Sequence, residues 1–317
     1  MQRYILRRLL TLIPTLLGIS IVVFLVMRLI PGDTISSMIG TQFQLTEAQA
    51  ASLRAYFGLD KSLPEQYWIW LTSALQGNFG YSVRSGQPVM QEILSRFPLT
   101  LELALFSTLI GVGIGLPVGI LSATRRGSPM DISSRIFALL GMAAPSFFVG
   151  TLFIYVLSVY VGILPNAGRY VSLWEDPIKN LQQMIFPALT LGIAFSASVM
   201  RTTRSAMLEQ IHSDYVRTAR SKGLTEQAIV RSHCLRNALI PIITLVGFEI
   251  GYLFGGAVIV ENVFALPGLG RLLLNAISQR DYALVQGTVI FIAFNFVLVN
   301  LLADIAYTFA NPRIRYE

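Results

Sequence analysis

The sequence predicts an all-α integral membrane protein with six transmembrane helices and both termini in the cytoplasm. Three observations lead to this fold class. Hydrophobic residues make up 54% of the 317 residues and charged residues only 13%, about half the charged fraction of a typical soluble domain. Several apolar stretches are long enough, at about 20 residues, to cross a hydrocarbon core of about 30 Å. Basic residues are concentrated in alternate segments between these stretches, as the positive-inside rule describes.

The apolar stretches follow one another along almost the whole chain. They are predicted at about residues 9–30, 99–122, 136–161, 184–200, 239–260 and 284–309. The fourth is the weakest, because Ser196 and Ser198 dilute it. Arg7 and Arg8 precede the first stretch, as in a secretory signal peptide, but its apolar run is too long and no small-residue cleavage site follows it. We therefore predict that the first stretch is a membrane-spanning helix.

The distribution of Arg and Lys sets the predicted orientation. Residues 1–8, 123–136, 201–236 and the C-terminal tail together hold 15 of the 24 basic residues. The alternate segments hold far fewer, although they are longer in total: four in 31–98, two in 162–183 and two in 261–283. The formal net charge of +7 is therefore attributed to membrane topology, and no nucleic-acid partner is predicted.

This topology divides the chain into four parts. They are a first transmembrane helix at residues 1–30, an extracytoplasmic helical segment at 31–98, a five-helix transmembrane core at 99–309 with a cytoplasmic loop at 206–236, and a cytoplasmic tail at 310–317. The segment 31–98 is long for a loop and should contain helices of its own. One is predicted from the capping-box spacing at Thr46 to a stop at Gly58, and a second from Pro64 to about Gly77. A third short helix, at about residues 89–96, would lead into the second span.

Several classes of site are excluded by composition. The single cysteine, Cys234, rules out an intrachain disulfide and a multi-cysteine metal site. The two histidines are His212 and His233, and neighbours such as His233 and Cys234 point about 100° apart on a helix, which makes them poor joint ligands. The sequence has no G-x-x-x-x-G-K-[ST] phosphate loop, so it lacks the usual ATP site. No catalytic residue, metal site or cofactor is predicted.

Small residues recur at intervals of four inside two of the spans. The rows are Gly111, Gly115 and Gly119 in the second span, and Gly247, Gly251 and Gly255 in the fifth. Such rows allow the backbones of neighbouring helices to approach closely, which matters in lipid because burial of apolar surface does not drive helices together there. We predict close helix packing at both rows.

The most basic part of the chain, residues 201–236, is too polar to lie in lipid. A short helix is predicted from Asp214 to Lys222, Gly223 ends it, and a second helical run from about residue 225 to 231 leads into the fifth span. Composition alone leaves two interpretations open. The segment is either a solvated basic loop or a projecting pair of helices that contacts a partner.

The residues of this loop resemble a known family. The run 214–223 reads DYVRTARSKG, and after nine further residues the run 233–241 reads HCLRNALIP. Together they resemble the cytoplasmic EAA loop of binding-protein-dependent ABC importer permeases, in the peptide and nickel branch. The residues 217–219 occupy the place of Glu-Ala-Ala, and 235–237 lie where the general motif has Leu-Pro. Further similar blocks are FGLD at 57–60, GNFG at 77–80, ENVF at 261–264, PGLG at 267–270 and NPRIR at 311–315.

The resemblance implies an assembly in the bacterial inner membrane. Its expected parts are a core like that of type I ABC importers with an extracytoplasmic helical insertion after helix 1, a second homologous permease subunit, two ATP-binding subunits or domains that bind ATP and Mg, and an extracytoplasmic substrate-binding protein. It also implies transport by alternating access. The docking positions for the ATPase are then Tyr215, Arg217, Thr218, Ala219, Arg220 and Gly223.

The residues that would line the pathway are less well defined. Ionisable groups inside spans are functional candidates because they are costly in lipid. The pathway candidates are Glu249, Tyr252, Ser196 and Asn295. Glu249 has an alternative interpretation as a polar contact at a subunit interface, and the other three as hydrogen bonds between helices. Peptides are the favoured substrate because of the breadth of the branch, with nickel, nickel chelates or glutathione as alternatives. Two other classes stay open: an intramembrane enzyme using Glu249 and Asp304, and an ungated channel.

Overall fold

A computed structural model describes residues 2–29, 47–56, 58–165 and 169–310. The described chain is helical, apart from its turns, its connecting segments and an isolated antiparallel bridge between Tyr81 and Pro88. It divides into two compact units, which we name by their position in the sequence. Of the described residues, those within Leu99–Leu266 and Phe296–Glu317 form the core unit, and those within Gln2–Pro98 and Pro267–Asn295 form the N-terminal unit. The all-α membrane class predicted from the sequence is confirmed.

The helices are numbered here in chain order. They are α1 (Gln2–Leu29), α2 (Glu47–Tyr56), α3 (Leu63–Leu75), α4 (Val89–Thr124), α5 (Pro129–Ala143), α6 (Ser146–Val156), α7 (Pro177–Ile211), α8 (Asp214–Ser221), α9 (Glu226–Ala228), α10 (Leu235–Val263), α11 (Leu269–Ser278) and α12 (Tyr282–Ala310). Two π-helical segments extend this set: Leu157–Val161 follows α6, and Ile229–Cys234 joins α9 to α10.

Five continuous helical segments of the described chain are long and apolar enough to cross a membrane. They are Leu10–Leu29, Val89–Thr124, Pro177–Ile211, Glu226–Gly255 and Tyr282–Ala303. The third predicted span, at residues 136–161, is wrong as a single helix. It is instead a pair, Pro129–Ala143 and Ser146–Val161, bent by 101°. The cause is Pro145, because a proline disfavours the helical conformation in the residue before it, and Ala144 is extended at φ −75° and ψ 120°.

The helices predicted between residues 47 and 77 are confirmed. The first ends at Tyr56 and is followed by Gly58 at φ +65°, and the second ends at Leu75 and is followed by Gly77 at φ +80°. Thr46, the predicted first residue of the capping box, lies outside the described residues. The third short helix is not separate, since α4 runs without a break from Val89. Helix α11 was not predicted, because its apolar run is too short to span a membrane.

Glycines bring α4 very close to α7 in the core unit. A Cβ added to Gly115 would lie 2.6 Å from the Ser196 carbonyl oxygen and 2.8 Å from Cβ of Val199. A Cβ on Gly111 would lie 2.5 Å from the Phe195 ring, and Gly119 has equally little space. Only a glycine permits these separations, so the predicted packing role of this row is confirmed. In the row of the fifth predicted span, a Cβ added to Gly255 would meet nothing within 4 Å. Close packing in that row is therefore limited to Gly247 and Gly251.

The N-terminal unit has a smaller apolar core of its own. The buried residues at its centre are Met27, Val89, Ile93, Leu269, Leu272, Ala276, Leu284 and Val285. The loop before α4 is fixed by Ser82, whose hydroxyl donates to the buried carboxylate of Asp281 at 2.5 Å. Asp281 also accepts a hydrogen bond from the Leu284 amide at the start of α12. Burial raises the pKa of Asp281 above its ordinary value.

The contact between α4 and α7 predicts a position-specific effect of adding one methyl group. Replacing Gly115 with Ala should lower the free energy of unfolding by about 1 to 3 kcal/mol, because the backbone of α7 must move. Gly113→Ala lies on the same helix with nothing within 4 Å of the new Cβ and should be neutral or slightly stabilising. Unfolding of both purified variants in the same detergent or lipid, followed by circular dichroism, measures this. Equal stability of the two variants would contradict the close contact.

Candidate functional site

Two short helices form a compact turn between α7 and α10, which we call the elbow (residues 213–234). Helix α8 ends at Ser221, and Gly223 follows in the left-handed conformation at φ +78°. The Leu224 amide donates to the Ala219 carbonyl and the Gly223 amide to the Arg220 carbonyl, which is the Schellman pattern of helix termination. Thr225 then caps α9 by accepting from the Ala228 amide. The chain therefore reverses over a few residues, and the predicted helix–glycine–helix arrangement is confirmed.

The inner face of the elbow is packed against the helices on either side of it. Val216 and Ala219, one helical turn apart on α8, are 0% and 7% exposed. They belong to an apolar cluster with Met207 from α7 and with Ile229 and Cys234 from the π-helical segment. Because that segment continues directly into α10, α8 is held by the end of one long helix and the start of the next.

Polar contacts reinforce this attachment. Arg220 donates from Nε to one carboxylate oxygen of Glu226 at 2.6 Å and from Nη2 to the other at 3.2 Å. This two-point contact bridges the turn and raises the pKa of Arg220. The Tyr215 hydroxyl donates to the Gln210 side chain at 2.7 Å and accepts from the Asn237 side chain at 3.1 Å. Tyr215 thus connects α8 to the last turn of α7 and the first turn of α10.

Five of the six predicted docking positions lie on the exposed side of the elbow. They are Tyr215, Arg217, Thr218, Arg220 and Gly223. Ala219 differs because its side chain is buried in the apolar cluster. It can hold the exposed side of α8 in place, but it cannot itself contact a docked partner. Among the described residues Arg217 has no ion-pair partner, whereas Arg220 is already bound to Glu226. The assignment of these residues to docking stays a prediction.

An ion pair with a buried carboxylate joins α5 to α7, and sequence analysis did not find it. Asp131 is 1% exposed, and its two carboxylate oxygens accept from Nε and Nη2 of Arg204 at 2.7 and 3.1 Å. The same carboxylate accepts from the Ser122 hydroxyl at 2.6 Å and the Gly127 amide at 2.9 Å. These four contacts connect the α4–α5 turn to α7, the helix that leads into the elbow. Sequence patterns show only that Arg204 is basic, because its partner lies 73 residues away.

The predicted pathway residues occupy different environments. Glu249 on α10 accepts a hydrogen bond from Ser198 on α7 at 3.1 Å, and Tyr252 is 62% exposed. Ser196 is fully buried and donates to the Ile193 carbonyl, while Asn295 is 9% exposed and donates to the Phe291 carbonyl. Buried hydrogen bonds of this kind favour packing roles for Ser196 and Asn295. The pathway role of all four residues stays a prediction.

Two further carboxylates, and the residues that could bind a metal, concern the enzyme and metal-site alternatives. The buried Glu261 accepts a hydrogen bond from Thr100 at 2.6 Å, a contact between α10 and α4 that sequence analysis missed. The side chain of Asp304, proposed with Glu249 for an enzyme, lies outside the described residues. No group of three His, Cys, Asp or Glu side chains with metal-binding geometry occurs in the part of the chain that the structure describes. His233 is exposed and Cys234 buried, so the adjacent pair does not share a face.

Comparison with known families identifies the chain. Residues 115–316 match the family described as the inner membrane component of binding-protein-dependent transport systems. Residues 1–104 match the N-terminal region described for the membrane component of the same systems. The chain belongs to this permease family. It is therefore a multi-pass inner-membrane protein, and the resemblance inferred from the elbow sequence is confirmed.

Individual relatives match this permease over its whole length. The dipeptide transport system permease protein DppB of Escherichia coli K12 is 38% identical, with 100% of both chains covered. The glutathione transport system permease protein GsiC of the same strain is 41% identical, again with 100% of both chains covered. A chain of the MetNI methionine ABC transporter, solved in an inward-facing conformation, matches with a TM-score of 0.55 and 20% identity, over 70% of this permease and 97% of that chain. The predicted importer-like fold is thus confirmed.

The ion pair between Asp131 and Arg204 predicts a large stability effect. Asp131→Asn should cost about 1 to 3 kcal/mol, because the Arg204 guanidinium, which is 21% exposed, loses its charged acceptor. The control is Arg135→Gln, since Arg135 approaches the same carboxylate only to 3.8 Å and is 53% exposed. That variant should lose less than about 1 kcal/mol. Urea unfolding of both variants in one detergent compares them, and an equal loss would show that the Arg204 contact is not the dominant one.

Proposed function

We propose that this permease forms half of the substrate pathway of an ATP-driven importer of short peptides, and that a separate ATPase moves it through the elbow. The observation that carries the proposal is the elbow's two-sided construction. One side is polar and exposed, and the other is buried against the ends of α7 and α10. A partner that binds the exposed side would therefore act on two membrane-spanning helices, α7 and α10, at once.

The contacts within the elbow suggest how such a force is transmitted. Val216 is fully enclosed in the apolar cluster that includes Met207 of α7, so sliding of α8 would disrupt this packing. The contact between Arg220 and Glu226 holds α8 and α9 together across Gly223, and α9 continues through the π-helical segment into α10. Movement of the elbow as one body would thus change the positions of α7 and α10 together, as alternating access requires.

The proposed assembly supplies what this chain lacks. Two ATP-binding subunits or domains would bind ATP and Mg and dock on the elbow, which the distribution of basic residues assigns to the cytoplasm together with both termini. A second homologous permease subunit would complete the pathway. An exposed face of α10, with Phe248, Tyr252 and Ile259 at 57%, 62% and 47% exposure, provides a surface for it. A substrate-binding protein would deliver the peptide from the extracytoplasmic side.

Relatives support peptides as the substrate class. DppB is named for dipeptides and GsiC for glutathione, and both align with this permease from end to end. Glutathione is itself a tripeptide, so the two names agree on a short peptide with a free carboxylate. Glutathione is the second candidate substrate, supported by the 41% identity to GsiC. Within the described residues, nothing at the site favours nickel over a peptide.

Replacing Gly223 tests the role of the elbow. Gly223→Leu should abolish substrate-stimulated ATPase activity in the reconstituted transporter, because a side chain at φ +78° distorts the turn between α8 and α9. The control is Gly162→Leu, where φ is +72° and an added Cβ likewise meets nothing within 4 Å. Both changes carry a similar backbone cost of about 1 to 2 kcal/mol. Normal membrane insertion is expected for both. Coupled ATPase activity in Gly223→Leu, or its loss in both variants, would contradict the proposed role.

Transport measurements test the substrate and the energy source. Proteoliposomes containing both permease subunits, the ATPases and the binding protein should accumulate a labelled dipeptide only when ATP is present. Labelled glutathione in the same vesicles tests the second candidate. Peptide flux without ATP would favour an ungated channel, and chemical conversion of a substrate by this chain alone would favour an enzyme. Either result would overturn the importer proposal.

A further inference from the structure

A cavity of about 310 Å³ lies within the N-terminal unit. Its walls come from the end of α1, from α3, from the loop at residues 78–83 and from the first turns of α12. This volume is at the lower end of the range of about 300 to 1,000 Å³ found for small-molecule sites. None of the functions considered so far uses it.

A partly buried cation, Arg28, lies in the wall. Arg28 at the end of α1 donates from Nε to Gln66 at 2.9 Å, and its guanidinium stacks 3.5 Å from the centre of the Phe24 ring. Among the described residues Arg28 forms no ion pair, and no Asp or Glu lines the cavity. A partly buried guanidinium normally has a carboxylate or phosphate partner, because removing its charge from water is costly.

Two residues that line the same cavity carry buried hydrogen-bond donors. Nε1 of Trp70 and Nε2 of Gln286 are shielded from solvent and have no hydrogen-bond partner among the described residues. Gln286 is only 2% exposed, so water in the open solvent does not satisfy it. Buried donors are almost always paired in folded proteins. Within the described part of the chain, Arg28 has only neutral acceptors, the Gln66 side chain at 2.9 Å and the Phe24 carbonyl at 3.4 Å. An anion would supply an acceptor to the two neutral donors and a counterion to Arg28.

The remaining wall is apolar and aromatic. Phe79, Tyr81 and Tyr282 line the cavity with Ile69, and Tyr81 is 55% exposed to solvent. The guanidinium of Arg28 also lies 5.5 Å from the centre of the Tyr282 ring. A ligand that fits this lining combines an anionic group with an uncharged or aromatic arm.

We propose that this cavity binds the free C-terminal carboxylate of a short peptide, with Arg28, Trp70 and Gln286 as the binding residues. A planar carboxylate matches the fork of a guanidinium in two-point contact and has lone pairs left for the two neutral donors. The cavity volume suits one or two residues of a peptide. On the predicted topology, the end of α1 faces the extracytoplasmic side, where a peptide first meets the permease. The choice of a peptide as the carboxylate's source rests on the proposed function.

Binding of a dipeptide and its amide tests the proposal directly. The full chain in nanodiscs is titrated by calorimetry with Leu-Phe, and separately with Leu-Phe amide, without ATP, ATPase or binding protein. The acid should bind at least ten-fold more tightly than the amide, because only the acid places a carboxylate at Arg28. Trp68 and Trp174 are 65% and 93% exposed, so replacing both with Phe isolates the fluorescence of Trp70, which should change only with the acid.

Variants assign the effect to the cavity. Arg28→Gln should weaken binding of the acid at least ten-fold, and Arg28→Lys should retain part of it, since Lys keeps the charge but lacks the fork. Trp70→Phe and Gln286→Leu each remove one donor and should weaken binding several-fold. The control is Arg84→Gln, which removes an exposed Arg of the same unit that does not line the cavity, and its affinity should be unchanged. Thermal unfolding of each variant checks that it is folded.

The outcomes separate this site from the proposed function. Equal binding of acid and amide, no binding of either, or an unchanged affinity in a folded Arg28→Lys or Arg28→Gln variant would overturn the site. Inorganic phosphate that competes more strongly than the peptide acid would identify a phosphate-bearing headgroup as the ligand and overturn the peptide assignment. Gly223→Leu should bind the acid normally while losing coupling. If peptides are transported but binding does not depend on the carboxylate, the proposed site is refuted and the proposed function stands. If Gly223→Leu keeps its coupled ATPase activity, the role of the elbow is refuted and the site stands.

Discussion

The core unit depends on how closely α4 approaches α7. In a hydrocarbon environment, burial of apolar surface does not hold helices together, so dispersion contacts between backbones at short range must do so. Gly111, Gly115 and Gly119 remove the side chains that would otherwise separate the two helices. Helix α7 also takes part in the ion pair with Asp131, the hydrogen bond to Glu249 and the packing of the elbow.

The polar contacts of α7 are distributed along its length. Ser198 bonds to α10, Arg204 bonds to α5 about two turns later, and Gln210 bonds to Tyr215 in the elbow after about two turns more. Apolar helix faces can slide against each other with little change in energy, whereas these contacts have fixed geometry. They define one register of α7 relative to its neighbours. A switch between conformations must therefore exchange some of these contacts as well as moving helices.

Sequence patterns predicted the features that depend on neighbouring residues. Span positions follow from local hydropathy, and the helix ends at Gly58, Gly77 and Gly223 follow from the left-handed conformation that glycine adopts readily. The chain was predicted to continue as one span across Pro145 because hydropathy is continuous there, even though proline chemistry accounts for the 101° bend. Helix α11 was missed because an apolar run of that length is ambiguous.

The features that were not predicted depend on contacts between residues that are far apart in the sequence. The partners Asp131 and Arg204 are 73 positions apart, and Thr100 and Glu261 are 161 apart. A single sequence shows that such residues are polar but not which of them meet. The burial of Ala219 has the same origin, because it depends on α7 and the π-helical segment converging on one face of α8. The cavity beside Arg28 likewise combines residues from four separate parts of the chain.

The position of Cys234 gives the molecule an internal reporter. It is the single thiol of the sequence, and it is fully enclosed in the apolar cluster beneath α8. An alkylating reagent can reach it only after this cluster opens. The rate of alkylation of the unmodified protein therefore measures how often the packing around the elbow opens, and it does so without an engineered label. Nucleotide, substrate or a docked partner would each raise or lower the rate at which the Cys234 sulfur is alkylated.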